Sequence, residues 1–307
     1  MAFTQGKLTL HIPPELLAVF EPKLPSFVKK ENPLVDYPED DVDEIAWGTF
    51  GTVYQVKKPD GTSKAVKALN AAPCEKDKFN KALKEAEIGL TIKHPNILPI
   101  EEVWYDGSRF FFVMDMIKPL TKENLPQSLK DHLVLFQQLV SAVEHLHSIG
   151  ILHRDIKVQN CGIKVDEDGT QRLVLFDFGE ACEVSESYPK CVGTVLHIAP
   201  EVLKAQYSDK SEIWALMSFL IEMLTGKSMI LHFFLAEKAS RIDVESKISK
   251  LLEPLSEPPI PAIFKTDKSR AGIRLLQILE KGLAINPAER LTFPELERLL
   301  QELIALL

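Results

Sequence analysis

His153-Arg154-Asp155-Ile156-Lys157-Val158-Gln159-Asn160 is the stretch that decides how this chain is read, together with Asp177-Phe178-Gly179, which follows the apolar run Leu173 to Phe176. The first motif sets a carboxylate (Asp155), an amine two residues on (Lys157) and an amide oxygen (Asn160) along one short loop; the second adds a carboxylate (Asp177) at the end of a strand. Carboxylate and amide oxygens are hard donors suited to Mg²⁺, a lysine beside them can balance anionic charge, and an aspartate can take the proton of a nearby hydroxyl. An isolated His-Arg-Asp tripeptide is compatible with an ordinary surface charge cluster. Four chemically matched groups in this order argue for a site.

Two upstream stretches extend the pattern. Ala46-Trp47-Gly48-Thr49-Phe50-Gly51-Thr52-Val53 places small residues where backbone N–H groups can approach anionic oxygens, and Ala65-Val66-Lys67 sets a lysine inside an apolar strand, an uncommon place for a solvated charge. With the two loop motifs, these stretches resemble those of the protein kinase family, and the likeness runs from about Ile45 to Leu303. The resemblance implies an α+β, bilobal fold: an N-terminal extension over residues 1–42, a small β-rich N-lobe over 43–117 and a larger helical C-lobe over 118–307, with ATP in the cleft between the lobes. It implies that Asp155 orients and deprotonates an acceptor hydroxyl, that Lys67 and Lys157 balance phosphate charge, and that Asn160 and Asp177 hold Mg²⁺. Ala46, Gly48, Gly51 and Val53 cover the phosphates in this scheme. Asp115 and Met116 offer backbone groups to the adenine with Met114 behind it, and Ala65 belongs to the same nucleotide-binding set. Counted back from His94-Pro95-Asn96, Glu85 is the helix glutamate that pairs with Lys67, with Glu87 as the fallback.

The stretch Glu180 to Ile198, ending in Ala199-Pro200-Glu201, resembles an activation segment, with Glu201 expected to pair with Arg290. Gly193-Thr194 matches the position where a threonine hydroxyl turns towards the catalytic aspartate and lysine, which favours serine or threonine acceptors over tyrosine. The departures from the family pattern are Ala46 and Trp47 in the glycine-rich loop, Gly89 where a large apolar side chain is usual, Glu212 for an aspartate and Met217 for a glycine. Lys190 stands where the segment usually carries a phosphorylated threonine, so Arg154 needs another anion; Glu183, Glu186 or a phosphate on Ser187 or Tyr188 are the candidates. Gln159 replaces a residue often acidic in kinases that favour basic substrates, so no basic consensus is expected. These departures motivate a rival, a catalytically weak or inactive kinase-like scaffold. Against it, Lys67, Asp155, Asn160 and Asp177 are all retained. A kinase of small molecules or lipids is disfavoured by the full activation segment.

Around the motifs, Thr52 to Val56, the turn Pro59 to Gly61 and Lys64 to Lys67 read as a hairpin, Phe79 to Leu90 as a helix and Phe110 to Met116 as a strand. Beyond Lys118 the period is helical: Leu129, Leu133, Phe136, Val140, Val143 and His147 recur at three- and four-residue steps, and further helices are expected over 213–224, 273–283 and 293–306. Trp104, Phe233 and Phe234 read as packing, and Leu299, Leu300, Leu303 and Leu306 as the stripe of a last core helix. A chain of 307 residues, 45% hydrophobic, can bury a large core, and a net charge of −8 argues against a broad nucleic-acid or membrane-surface footprint. Cys74, Cys161, Cys182 and Cys191 are spaced too widely for a zinc cluster, and no apolar run is long enough to span a bilayer. The expectation is a soluble cytoplasmic enzyme acting on a protein serine or threonine, using ATP and Mg²⁺, with an activating partner as an option.

Overall fold

The alternating residues of Gly51–Lys57 and Ser63–Asn70 form an antiparallel hairpin in register Val56↔Lys64 and Tyr54↔Val66. Its turn is closed by Asp60, whose Oδ1 accepts from Thr62 N at 2.8 Å and Thr62 Oγ1 at 2.6 Å. In this computed structural model the described residues are 24–30, 32–34, 37–48, 51–121, 123–166, 168–184, 192–236, 252 and 255–307. Thr49, Phe50, Glu186, Ser187, Tyr188, Lys190 and Cys191 lie outside them, as do the side chains of Phe233 and Phe234. The chain forms two compact units, residues 1–86 with 100–114 and residues 87–99 with 115–307.

The first unit is built on a six-stranded sheet of β1 (Val28–Lys30), β2 (Val42–Gly48), β3 (Gly51–Lys57), β4 (Ser63–Asn70), β5 (Glu102–Tyr105) and β6 (Arg109–Asp115), in the order β1-β5-β6-β4-β3-β2. Period-two alternation sends the aromatic residues of β6 to opposite faces. On one face Phe110 meets Phe79 of helix α1 (Lys76–Thr91) and Tyr105, with centroids 5.2 and 4.6 Å away. On the other, Phe111 packs with Val56, Val66 and Ala68, flanked by Trp104, Leu34 and Tyr37. The expected N-terminal extension is therefore partly integral to this unit. β1 adds a parallel edge strand to β5, with Val28 buried and Lys29 over the Trp104 ring at 4.6 Å while bound to Glu102 at 2.9 Å. A three-residue strand carries too little periodicity to be seen in the sequence.

In the second unit the helices α2 (Leu129–Ser148), α3 (Asp209–Thr225), α4 (Met229–Ala236), α5 (Ile263–Thr266), α6 (Arg270–Gly282) and α7 (Phe293–Ala305) surround one large apolar core. α2 begins at Ser128, whose Oγ accepts from Asp131 N at 3.1 Å, and it buries Leu133, Phe136, Leu139, Val140, Val143 and Leu146. α7 begins with a capping box between Thr292 and Glu295 and buries Leu299, Leu300 and Leu303. Leu306 departs from the expected stripe: it caps the helix and is 47% exposed. Two small sheets complete the unit: β7 (Lys118–Pro119), β9 (Cys161–Val165) and β10 (Gln171–Leu175) in one, β8 (Ile151–Leu152) and β11 (Cys182–Glu183) in the other. No described helix is long and apolar enough to cross a membrane.

Met217, which stands where the family pattern has glycine, has its counterpart in Gly282 at the end of α6. A Cβ on Gly282 would lie 2.4 Å from Met217 Cγ and 2.6 Å from its Sδ. The methionine fills the space that Gly282 leaves without a side chain. Gly282→Ala should therefore cost about 1–3 kcal/mol by overpacking, and Met217→Ala in the same chain should recover part of that loss. Urea unfolding of the two single variants and the double variant checks the coupling, and strict additivity would contradict it. Removal of residues 1–34, which takes away Val28 and Leu34, should likewise destabilise the first unit by about 3 kcal/mol, since each apolar side chain buried is worth roughly 1.5–3 kcal/mol. An unchanged unfolding midpoint would show that β1 is dispensable.

Candidate active site

The loop between β8 and β9 carries the decisive motif, and three of its polar residues are buried: His153 at 0% exposure, Asp155 at 8% and Asn160 at 4%. Two non-glycine residues near it have left-handed backbones, Arg154 at φ 63° and Asp177 at φ 67°, conformations that cost an L-residue about 1–2 kcal/mol each. Specific contacts hold them. Arg154 N donates to Glu212 Oε1 of α3 at 2.6 Å, and Glu212 Oε2 is bonded to Nε2 of His147 on α2. Burial opposes ionisation of Glu212, but hydrogen bonding and charge from His147 outweigh it and hold the carboxyl below the usual range. The extra methylene of glutamate at this position is thus accommodated, with the backbone contact kept. Asp177 accepts from Gly179 N at 3.4 Å, and the buried ring of Phe178 lies 5.4 Å from that of His153.

Asp155 is the centre of the network. Its Oδ1 accepts from Thr194 N and Thr194 Oγ1, both at 2.8 Å; its Oδ2 accepts from Lys157 Nζ at 2.7 Å and Asn160 Nδ2 at 2.9 Å. Burial raises the pKa of this carboxyl, yet the hydrogen bond and charge of Lys157 and the bond from Thr194 hold it below the usual range. Lys157 Nζ also donates to Thr194 Oγ1 at 2.8 Å, so aspartate, lysine and threonine close a ring. Gly193 makes this possible: at φ 95° it passes so near the catalytic loop that a Cβ would sit 2.3 Å from Arg154 O. Further along, Glu201 and Arg290 form a two-pronged ion pair at 2.6 and 2.8 Å, with Arg290 Nε on Ala284 O at 2.8 Å.

Asn160 and Asp177 are brought together by the backbone. Phe176 N donates to Asn160 O at 3.0 Å, so Asp177 follows directly beside Asn160. With Asn160 Nδ2 spent on Asp155 O at 2.8 Å and on Oδ2, its amide oxygen is the end left for a metal. No group of three or more His, Cys, Asp or Glu suited to a metal occurs among the described residues. A pair of hard oxygen donors nevertheless fits Mg²⁺, which keeps waters and takes phosphate oxygens as its other ligands.

The remaining sequence-derived candidates lie in or near the first unit. Lys67 Nζ donates to Glu85 Oε1 at 2.6 Å, with side chains 14% and 7% exposed, and Glu85 of the two candidate glutamates is the one that reaches it. Ala46 and Trp47 lie on β2, with Trp47 84% exposed, and Gly48 ends that strand. Gly51 opens β3 opposite β4, where a Cβ would meet Ala68 O at 2.0 Å; strand packing alone thus demands a glycine there. Val53 pairs with Lys67, and Ala65 is buried. Met114 is the last residue of the first unit, while Asp115 and Met116 begin the second, where the Asp115 carboxylate is paired with Lys164. Arg154 Nε donates to Glu180 O at 2.7 Å and its guanidinium lies 5.2 Å from the centre of the Tyr207 ring. Sequence reading passed over Tyr207 and His197 and took His147 only as a member of the helical stripe, since the partners of all three are distant in the chain.

A β-rich unit with one helix, a helical unit, a His-Arg-Asp loop and an Asp-Phe-Gly turn in this order are the elements of a protein kinase. The family model described as the protein kinase domain matches residues 40–301. The mouse serine/threonine-protein kinase Nek4 is 30% identical over 263 residues, covering 80% of this chain and 30% of that protein. Mouse serine/threonine-protein kinase Nek1 is 29% identical over 82% of this chain and 22% of that protein, and Arabidopsis thaliana serine/threonine-protein kinase AtPK2/AtPK19 is 35% identical over 60% and 40%. The chain belongs to the protein kinase family. It spans less than half the length of these three relatives.

Beneath the catalytic loop lies a second polar cluster. His197 N donates to Thr194 O at 2.8 Å, and its Nδ1 is 3.0 Å from Ser218 Oγ. Its Nε2 lies 3.2 Å from Glu222 Oε2 without the alignment of a hydrogen bond, and Gln159 Nε2 approaches Glu222 Oε1 at 3.5 Å. Burial lowers His197 to about 4, with Asp155 opposing and Lys157 reinforcing the shift. Burial raises Glu222, with Gln159 opposing. The unfolded histidine takes up its proton near 6.5, so its contribution is complete above that value and is lost as pH falls towards about 4, roughly 3 kcal/mol at full extent. Glu222 works in the opposite sense: its contribution is present below its unfolded pKa and is lost as pH rises through the raised folded one. His197→Asn should therefore flatten the loss of stability between pH 7 and pH 5, and Glu222→Gln should steepen it. Urea unfolding at both pH values checks the signs, and parallel losses in all three proteins would refute them.

Proposed function

We propose that this chain transfers the γ-phosphate of ATP, as its Mg²⁺ complex, to a serine or threonine hydroxyl of a protein. The observation that carries this reading is the closed ring of Asp155, Lys157 and Thr194, with Asn160 bonded to the same carboxylate. Asp155 accepts four hydrogen bonds and has a depressed pKa, so it acts first as an acceptor that aims the incoming hydroxyl and takes its proton late, when oxygen–phosphorus bonding has made that proton acidic. The hydroxyl enters by displacing one of the four donors. Lys157 uses two of its three N–H donors on Asp155 and Thr194 among the described residues, which leaves one for a phosphate oxygen. Lys67, oriented by Glu85, takes the other phosphates. Asn160 and Asp177 would hold the metal, which supplies charge neutralisation and alignment of the phosphate oxygens.

Ala46, Gly48, Gly51, Val53, Ala65, Met114, Asp115 and Met116 form the nucleotide-binding set in this reading. Its support is their place on β2, on β3 and on β4, the strand that carries Lys67, and at or just after the end of β6. A cytoplasmic site of action is supported by the free thiols of Cys74 and Cys161, and protein partners in preference to nucleic acid or membrane by the net charge of −8.

The test is incorporation of labelled γ-phosphate into a generic protein substrate with Mg²⁺. Asp155→Asn should lower the rate by about 10²–10⁴-fold, Glu85→Gln by a smaller factor with a raised KM for ATP, and a chelator should abolish transfer. Wild-type protein that binds Mg-ATP and transfers nothing would favour the scaffold reading, or a kinase awaiting an activating partner.

A further inference from the structure

We infer that Tyr207 is a positioning residue for phosphoryl transfer, an uncharged clamp that holds Val192-Gly193-Thr194 against the catalytic loop so that Thr194 reaches Asp155 and Lys157. The inference rests on the kinase reading above and assigns a new part of that site. Tyr207 follows the short helical turn Pro200–Lys204 and lies just ahead of α3. Its hydroxyl donates to Val192 O at 2.8 Å and accepts from Val192 N. Both backbone groups of one residue are thereby fixed, which sets the orientation of the peptide as well as its place. The face of the same ring carries the Arg154 guanidinium, with Cζ 5.2 Å from the centroid, within reach of a cation–π attraction.

Those two contacts grip the two sides of one close approach. Val192 is followed by Gly193, the residue packed on Arg154 O, and then by Thr194, whose N–H and hydroxyl both bond Asp155 Oδ1. Arg154 precedes Asp155 in the chain and is itself tied back to Glu180 O at 2.7 Å. A small displacement of Val192 therefore moves Thr194 relative to the carboxylate, and with it the lysine they share. Tyr207 touches neither the acceptor nor the phosphate; it acts through Thr194. The phenol is neutral at working pH, so the clamp requires no added phosphate. In the sequence Lys190 occupies the place where such segments carry an anion for the arginine.

The clamp makes phenylalanine an informative substitution, because Tyr207→Phe keeps the ring under Arg154 and removes both hydrogen bonds to Val192. Four proteins decide the matter: wild type, Tyr207→Phe, Thr194→Ala and the double variant, each assayed for phosphate transfer beside Asp155→Asn, for thermal stability and for amide exchange of the peptide spanning Val192 to Leu196. Tyr207→Phe should lose about tenfold in kcat, keep its KM for Mg-ATP and its melting temperature, and speed exchange at Val192 and Thr194 about tenfold. In the Thr194→Ala background, which keeps only the backbone bond to Asp155, it should cost clearly less. Full kcat in Tyr207→Phe, an equal loss with and without Thr194, or a loss matched by a lower melting temperature would each overturn the proposal. If wild type transfers no phosphate, that outcome bears on the kinase reading and not on the clamp. Amide exchange still decides the clamp in that case, since unchanged protection at Val192 and Thr194 would refute it.

Discussion

Glu212 is buried to 2% exposure between α2 and the catalytic loop, and its two oxygens face different tasks. One accepts from the backbone N–H of Arg154, the other binds His147. The left-handed backbone at Arg154 turns the chain so that the next residue, Asp155, faces Thr194, Lys157 and Asn160. A residue in that conformation relaxes unless its surroundings hold it. Because the holding group is a carboxylate in an apolar core, it in turn needs a donor, and removing such a donor leaves a buried charge at a cost of about 3–5 kcal/mol. The catalytic loop is thus fixed by a chain of obligations that begins on α2 and passes through α3.

The same rule governs the carboxylate at the centre. Asp155 is buried and ionised, and four donors surround it. Such a network is stable only when each member is satisfied, so the activation segment is more than a cover: Thr194 supplies two of the four bonds. Proper seating of the segment and proper charge at the site are then one condition. The His197 and Glu222 cluster below it is less complete, since Glu222 Oε2 has no hydrogen-bond partner among the described residues. Part of its adjustment is made by protonation, with both groups shifted towards their neutral forms.

Much of this was legible in the sequence because chemical groups of phosphoryl transfer sit close together in the chain. Asp155, Lys157 and Asn160 share one loop, and Asp177 follows two strands later, so compact motifs that resemble those of protein kinases expose them. Lys67 stood out through an apolar strand, and its partner was assigned to Glu85 by counting back from His94-Pro95-Asn96, with Glu87 as the fallback. The supports were hidden for the converse reason. Glu212 was noticed as a departure from a pattern, but its partner His147 lies 65 residues away and lines a helix otherwise read as apolar. Tyr207 and Val192 are 15 residues apart across a turn with no periodicity. β1 is three residues long, and its pairing with β5 depends on a parallel edge contact that no local preference encodes.

The departures from the family pattern share a physical character. Where Met217 adds volume to α3, Gly282 on α6 leaves the room that it fills. Where Glu212 lengthens a side chain, its oxygens still reach Arg154 N and His147. In each case a volume or a reach changes at a supporting position, and a neighbour in the same unit absorbs the change. The charged and amide side chains that would touch phosphate, metal or acceptor stand outside this exchange: Lys67 has its glutamate, Asp155 its four donors, and Asn160 its bonds to the loop. A fold that had stopped holding a reactive constellation would be under no pressure to keep buried, mutually satisfied charges at those points, since an apolar replacement of similar volume is often as stable or more so. Retention of a costly charged network beside freely exchanged packing is what a site under chemical constraint looks like, and it weighs for catalysis over a passive scaffold.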